Sequence, residues 1–154
     1  IDSPFSRERE DALARFYADW QHDPQVVEQW FAAQSGSAWI GNVNRVTELL
    51  EHPAFDWKNP NKVRMVIGVF AGRNLTHFHS PDGSGHRFLG EQIRRLDAFN
   101  PQISAQLAQP LTRWRQYAPH LRDSMAGILR ELRDLPDLSR DLYEVVTKSL
   151  GGSD

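Results

Sequence analysis

The chain has 154 residues, 18 basic and 20 acidic, for a net charge of −2, and it contains no cysteine. That length suits one domain burying about 70% of the surface of its unfolded chain, and the interspersed charge gives no footing for a nucleic-acid or membrane partner. Without cysteine there are no disulfides, no thiolate-held zinc, no iron–sulfur clusters and no thiol catalysis, and no apolar run approaches the roughly 18 residues of a membrane span.

The first helix is predicted to begin near Ser6. Glu8, Glu10 and Asp11 sit against the positive end of its dipole, and Leu13, Phe16, Tyr17 and Trp20 form one buried stripe. Asp23-Pro24 opens a second helix carrying Val27, Trp30 and Phe31, which runs out in Ser35-Gly36-Ser37. A third carries Val43, Val46, Leu49 and Leu50 and stops before Pro53. Asn59-Pro60 opens the fourth, with Val63, Ile67 and Phe70, and Gly72 is the expected C-cap. From Arg73 to Gly85 the chain reads as irregular, with turn chemistry at 81–85.

The fifth helix carries Phe88, Leu89, Ile93 and Leu96. Asn100-Pro101 opens a sixth through Ile103 and Leu107, kinked at Pro110 and resuming through Leu111 and Trp114. Pro119 begins a seventh with Leu121, Met125, Ile128, Leu129 and Leu132. Ser139 caps the last, with Leu138 placed to pack on Tyr143 as a staple; it carries Leu142, Val145, Val146 and Leu150 and ends at Gly151-Gly152. Each Asx-Pro pair supplies a side-chain acceptor for the first-turn amides and a residue whose missing N–H would be orphaned there anyway. Their spacings of 36 and 41 residues, from 23 to 59 to 100, approach the period of helix-pair repeats. The reading is all-α, about eight helices in stacked helical hairpins, and one domain over residues 1–154.

Few residue groups carry chemistry. His77, His79 and His86, with Asp82, offer three imidazoles and a carboxylate within ten residues, the right ligand types for a transition metal. Their spacing matches no i, i+4 helical pair and no known finger, and loop histidines ordinarily hydrogen-bond to backbone. There is no H-E-x-x-H, G-x-S-x-G or phosphate loop. Asp82-Gly83-Ser84-Gly85 lacks the alternating acids of a calcium loop and reads as a turn. Acidic pairs such as Glu10-Asp11 lie on polar faces, and Arg94-Arg95 with Arg113 and Arg115 read as a solvated face. On the fourth helix, Arg64, Gly68 and Ala71 share a second face. It reads either as a tight helix crossing with Arg64 paired to a neighbouring acid, or as an arginine presented to a cavity or another domain. Trp20 and Trp30 fall on core stripes; Trp39 and Trp57 lie at helix junctions, where an aromatic plugs gaps between repeats or contacts a partner, plugging being the expected role.

Ordered segments along the chain resemble a known family. They are Ala12-Leu13-Ala14, Phe16-Tyr17 and Trp20-Gln21; Val26-Val27 and Trp30-Phe31; Asn59-Pro60-Asn61-Lys62-Val63-Arg64; Ile67-Gly68 and Phe70-Ala71-Gly72; Phe78-His79 and Asp82-Gly83-Ser84-Gly85; and Leu138-Ser139, Asp141-Leu142-Tyr143-Glu144 and Thr147-Lys148. In one register over about residues 10 to 150, they are similar to the C-terminal, fourth domain of bacterial aminopeptidase N, a thermolysin-like zinc aminopeptidase family. The resemblance implies an armadillo- or HEAT-like right-handed superhelix that covers the catalytic domain and walls the cavity through which peptides reach the metal. It implies no catalytic, cofactor or metal residue in this chain, since the zinc ligands and general base belong to the catalytic domain.

By the same resemblance the site residues are Asn61 and Arg64, as cavity wall. Gln106 stands where some relatives are expected to carry a second basic residue, and of the histidines only His79 fits the family pattern. The implied partners are the catalytic domain of the same polypeptide and peptide substrates, and the implied compartment is a bacterial cytoplasm, with the periplasm as alternative. Because the chain opens on Ile1 rather than methionine, it is expected to be a piece of a longer enzyme. The rival readings are a free-standing helical-repeat adaptor binding a protein or peptide on its concave face, and, ranked last, a small metalloprotein built on the histidine loop.

Overall fold

In the computed structural model, which describes residues 4–151, all regular structure is helical. Helix α1 spans Pro4–Trp20, α2 Pro24–Ser35 and α3 Val43–Leu50. Helix α4 runs over residues 60–73 and contains a π turn at Arg64–Gly68. Next come the short α5 (Leu75–Phe78), α6 (Ser84–Asp97), α7 (Pro101–Leu107) and the short α8 (Gln109–Thr112). A 3-10 turn at Trp114–Gln116 leads into α9 (Pro119–Arg133) and α10 (Arg140–Gly151). The eight expected helices are present; α5 and α8 are additional short pieces, in the stretch read as irregular and at the Pro110 kink.

The Asx-Pro pairs act as their chemistry demands. Asp23 Oδ1 accepts from the amides of Gln25 and Val26 at 3.1 and 3.3 Å, Asn59 Oδ1 from Asn61 and Lys62 at 3.0 and 3.3 Å, and Asn100 Oδ1 from Ile103 at 3.2 Å. The helices they open pack against their chain neighbours around one continuous core. Phe31, Ile67, Phe70, Phe78, Leu89, Leu96, Leu111, Leu129 and Leu142 lie in it with almost no exposure. Each such side chain contributes about 1.5–3 kcal/mol by leaving water. Helices α1 to α3 gather on one side of α4, and α6, α7, α9 and α10 gather beyond it, with α7 seated on the π turn.

The π turn fits that central position. Val69 N–H donates to Arg64 O, five residues back, so one extra residue is fitted into the helix. The buried Ser35 hydroxyl on α2 donates to Val66 O within the turn. Val63, Val66, Ile67, Val69, Phe70 and Ala71 are all buried, while Arg64 and Gly72 face outward.

Gly72 does not cap α4. The helix continues to Arg73 and ends at Asn74, because the Asn74 side chain does two jobs there. Its Nδ2 reaches the carbonyls of Ser35, Ser37 and Gly41 at 3.0, 3.2 and 2.6 Å, and its Oδ1 accepts from the His77 amide and so opens α5. Asp97 plays the matching role across the C-terminal half. It accepts from Ser104 Oγ at 2.7 Å and Ser139 N at 2.8 Å, and also from Ser139 Oγ. Ser139 Oγ in turn accepts from Leu142 N at 3.2 Å, the expected cap of α10. A buried carboxylate so bonded ties α6, α7 and α10 together.

Two aromatic expectations fail on α1. Leu13 and Tyr17 pack on the core, but Phe16 and Trp20 are 42% and 49% exposed, their rings 6.2 Å apart. Helix α1 has one main neighbour, α2, and so buries only a narrow stripe of its apolar face. Trp39 plugs nothing and is 87% exposed, whereas Trp57 is packed edge-on to Phe55 with the Arg95 guanidinium 4.0 Å over its ring. Tyr143, the expected staple partner of Leu138, is half exposed, while Leu138 packs against the core.

Glycine carries the turn into α6. Gly83 has φ +73°, a left-handed conformation that glycine adopts without strain. At Gly85 an added Cβ would stand 2.3 Å from Phe78 O and 2.5 Å from His77 O, both backbone. Gly85→Ala is therefore expected to lower unfolding free energy by about 3 kcal/mol or more. Gly127→Ala, on open space in α9, should raise it by up to ~1 kcal/mol. Urea unfolding followed by tryptophan fluorescence measures both, and equal effects would contradict the close approach at Gly85.

Candidate functional site

The outward face of α4 presents Asn61 and Arg64. Arg64 Nη2 lies 3.3 Å from Gln106 Oε1 on α7, and Nη1 lies 3.5 Å from Asn61 Oδ1. Both are long, neutral-acceptor contacts on an exposed surface, so most of the guanidinium's donors face solvent. Among the described residues the carboxylate pairing weighed from the sequence does not occur; the cross-helix partner is the amide Gln106, the position singled out for carrying no basic residue. Gly68, behind Arg64, does not mediate a backbone contact either. A Cβ there would meet Leu107 Cδ2 at 3.7 Å, an ordinary van der Waals distance.

The histidine loop assembles differently from a ligand set. His77 Nε2 lies 2.8 Å from Ala38 O, away from the other two rings. His79 Nδ1 and His86 Nε2 are 2.9 Å apart, and His86 Nδ1 is 2.7 Å from Ser124 Oγ on α9. Two proton arrangements satisfy this chain. Either Ser124 donates to His86, which donates to His79, or His79 donates to His86, which donates to Ser124. The rings are held by Phe78, packed 4.7 Å from His79 and 5.0 Å from His86, and by Tyr117, 4.6 Å from His79.

These residues do not fit zinc. Tetrahedral zinc at about 2.0–2.1 Å from each imidazole nitrogen spreads two such nitrogens to roughly 3.3 Å, and here the facing nitrogens hydrogen-bond to each other. Asp82 is committed to its turn as well. Hydrogen bonds from the Ser84 side chain and amide, and from Ser80, hold its carboxyl down at about 2. Among the described residues no group of three or more His, Asp or Glu side chains is placed to hold a metal ion.

Sequence reasoning named Arg64, Asn61 and the histidines but missed Asn74, Asp97 and Ser124. The only local signal was Asn74 ahead of the short apolar run Leu75 to Phe78, which is N-cap chemistry. Asp97 and Ser124 carried none, since their partners lie far along the chain.

The comparisons with known proteins can now be placed on this geometry. Residues 2–151 match the family model described as "Domain of unknown function (DUF3458_C) ARM repeats". The chain belongs to this family of helical-repeat domains, in agreement with its all-helical hairpin architecture. It is similar to aminopeptidase N of Caulobacter vibrioides, 40% identical over 143 residues that make up 93% of this chain and 17% of that protein. Aminopeptidase N of Escherichia coli is 40% identical over 141 residues, 91% of this chain and 16% of that protein. Among solved structures, Legionella pneumophila aminopeptidase A, determined in complex with aspartic acid, superimposes with a TM-score of 0.86 at 32% identity, over 95% of this chain and 17% of that one. The chain thus spans about one sixth of the length of the relatives it matches.

The buried imidazoles give a pH dependence. His86 is fully buried, and burial first, then the neighbouring His79, hold its pKa at about 4 against an ordinary 6.5; burial lowers that of His79 as well. Folding therefore favours the neutral rings, and below pH 6.5 the unfolded chain binds more protons. The contribution is whole above about pH 6.5 and is lost as pH falls through the folded value near 4. From pH 7 to pH 5, wild type should lose about 2 kcal/mol more stability than His86→Gln. Urea titrations at the two pH values test this, and parallel losses in both proteins would remove His86 as the cause.

Proposed function

We propose that this chain is the C-terminal, non-catalytic domain of a zinc-dependent aminopeptidase of the aminopeptidase N kind, which releases N-terminal residues from peptides. In this reading the domain covers the catalytic domain of the same polypeptide and walls the cavity that peptides cross, with Asn61 and Arg64 on the cavity side. The setting is bacterial, cytoplasmic or periplasmic. The observation that carries it is the match of nearly the whole chain, at about 40% identity, to one sixth of proteins named aminopeptidase N. The exposed, weakly tethered Arg64 supports the finer part. A guanidinium held, among the described residues, by two long amide contacts has donors left to engage a passing peptide carbonyl or carboxylate.

The chemistry of such an enzyme would fall outside this chain, so the domain's contribution is access and water exclusion. Purified on its own, the chain is expected to leave alanyl and leucyl chromogenic amides intact with or without added zinc, while the parent cleaves them. Zinc-dependent turnover by the chain alone would overturn the reading. In the parent, Arg64→Ala should lower kcat/KM for peptides of several residues by about 3- to 10-fold, with little effect on a single-residue amide. Unchanged kcat/KM at every peptide length would reject the cavity-wall role while leaving the domain assignment standing.

A further inference from the structure

A cavity of about 350 Å³ opens beside the C-terminal half of α4, between α5 and the segment from α8 to Tyr117. Its floor is apolar, formed by Ala71, Leu75 and Phe78. Gln109, Arg113, Tyr117 and His79 line it as well. Among the described residues no acidic side chain lines it. Gly72 lies at its edge on open space, where a Cβ would meet no atom within 4 Å.

Two properties set this cavity apart from a surface crevice. The first is unspent polarity. Among the described residues Arg113 has no salt bridge and its guanidinium no hydrogen bond; the Tyr117 hydroxyl, the Gln109 side-chain amide and His79 Nε2 also lack hydrogen-bond partners. By contrast, Arg115, two residues on from Arg113, is committed to the carbonyls of Ser149 and Leu150. The second is rigidity. His79 is pinned by the His86 hydrogen bond and packed between Phe78 and Tyr117, so the wall is formed before any ligand arrives.

We propose that this cavity is a binding site for a small amphiphilic carboxylate, an apolar or aromatic body joined to a single carboxylate group. The body lies on Leu75 and Phe78, out of water. The carboxylate meets the Arg113 guanidinium, the one full positive charge at the rim, whose planar fork matches two carboxylate oxygens. The Tyr117 hydroxyl and the Gln109 amide supply further neutral donors. A cationic ligand is disfavoured by Arg113 with no acid to offset it. A purely apolar ligand would leave the carboxylate's donors unused and gain only from the floor. The site shares no lining residue with the Asn61–Arg64–Gln106 contact and does not depend on the aminopeptidase reading.

The test is an NMR titration of the 15N-labelled chain with 3-phenylpropionate, beside its uncharged analogue 3-phenylpropionamide. Saturable shifts are expected at Gly72, Leu75, His79 and Tyr117, with a Kd of about 1 mM, the scale for so small a ligand in an open pocket. The amide should bind about tenfold more weakly or worse. Arg113→Gln should weaken the carboxylate by about tenfold and Tyr117→Phe by about threefold, each with an unchanged amide spectrum away from the pocket. Arg94→Gln, an exposed arginine on α6 outside the cavity, serves as the control for diffuse charge attraction and should bind like wild type. Absence of saturable shifts to about 20 mM, twentyfold above the expected Kd, would overturn the proposal. Equal affinity for carboxylate and amide, or undiminished affinity in a folded Arg113→Gln chain, would do so too.

Discussion

The burial of α4 on most of its circumference is the constraint to which the remaining helices conform. A helix in that position must present apolar side chains in several directions, and residues 63–71 do so. It must also keep every backbone group bonded, and this is harder where the helix widens into a π turn. Ser35 meets that need by bonding Val66 O from α2, which fixes α2 against α4 with one buried hydrogen bond. With the first three helices set on one flank and α7 on the other, only a narrow outward strip of α4 is left. Asn61, Arg64 and Gly72 occupy it, so whatever this domain does through α4 it does along that line.

Two joints between hairpins are made by single buried polar side chains, while the Arg45–Glu10 ion pair ties α3 to α1 nearer the surface. Asn74 gathers three carbonyls of the turn between α2 and α3, and Asp97 gathers Ser104 and Ser139. Both are buried, and both would cost about 1–3 kcal/mol if left unsatisfied. The salt bridges lie nearer the surface, where such pairs contribute little. Helical stacks slide easily on apolar faces alone, because ridges and grooves repeat every turn. A buried carboxylate or amide with fixed partners selects one register among them.

How much of this was legible in the sequence depended on how far each interaction reaches. The three Asx-Pro caps were read correctly, since cap and first turn lie within three residues of each other. The hairpin order followed from those caps and from the apolar stripes. Gly72 was misread as a terminator because the true one, Asn74, acts through carbonyls 33 to 39 residues away. Phe16 and Trp20 had the spacing of a core stripe, yet spacing does not say how many neighbours a terminal helix will have. Arg64 was singled out from its segment, but its cross-helix partner Gln106 is 42 residues on, and an amide there gives no charge pattern to follow. The histidines suggested a metal because their ligand chemistry is visible and their mutual geometry is not. Folding turned two of them toward each other and the third toward Ala38.

Trp39 has an optical consequence. Of the five tryptophans, it alone is almost wholly solvated; Trp30, Trp57 and Trp114 are packed and Trp20 is half covered. Emission from the chain is thus a sum of shielded indoles and one that relaxes in water, and excitation at the red edge of the band selects the latter. Iodide or acrylamide would quench that component first. Since Trp39 adjoins Ala38, whose carbonyl is bound by His77, its red-shifted light is a built-in dye on the turn between α2 and α3. Any surface that settles over this corner of the domain will turn it blue.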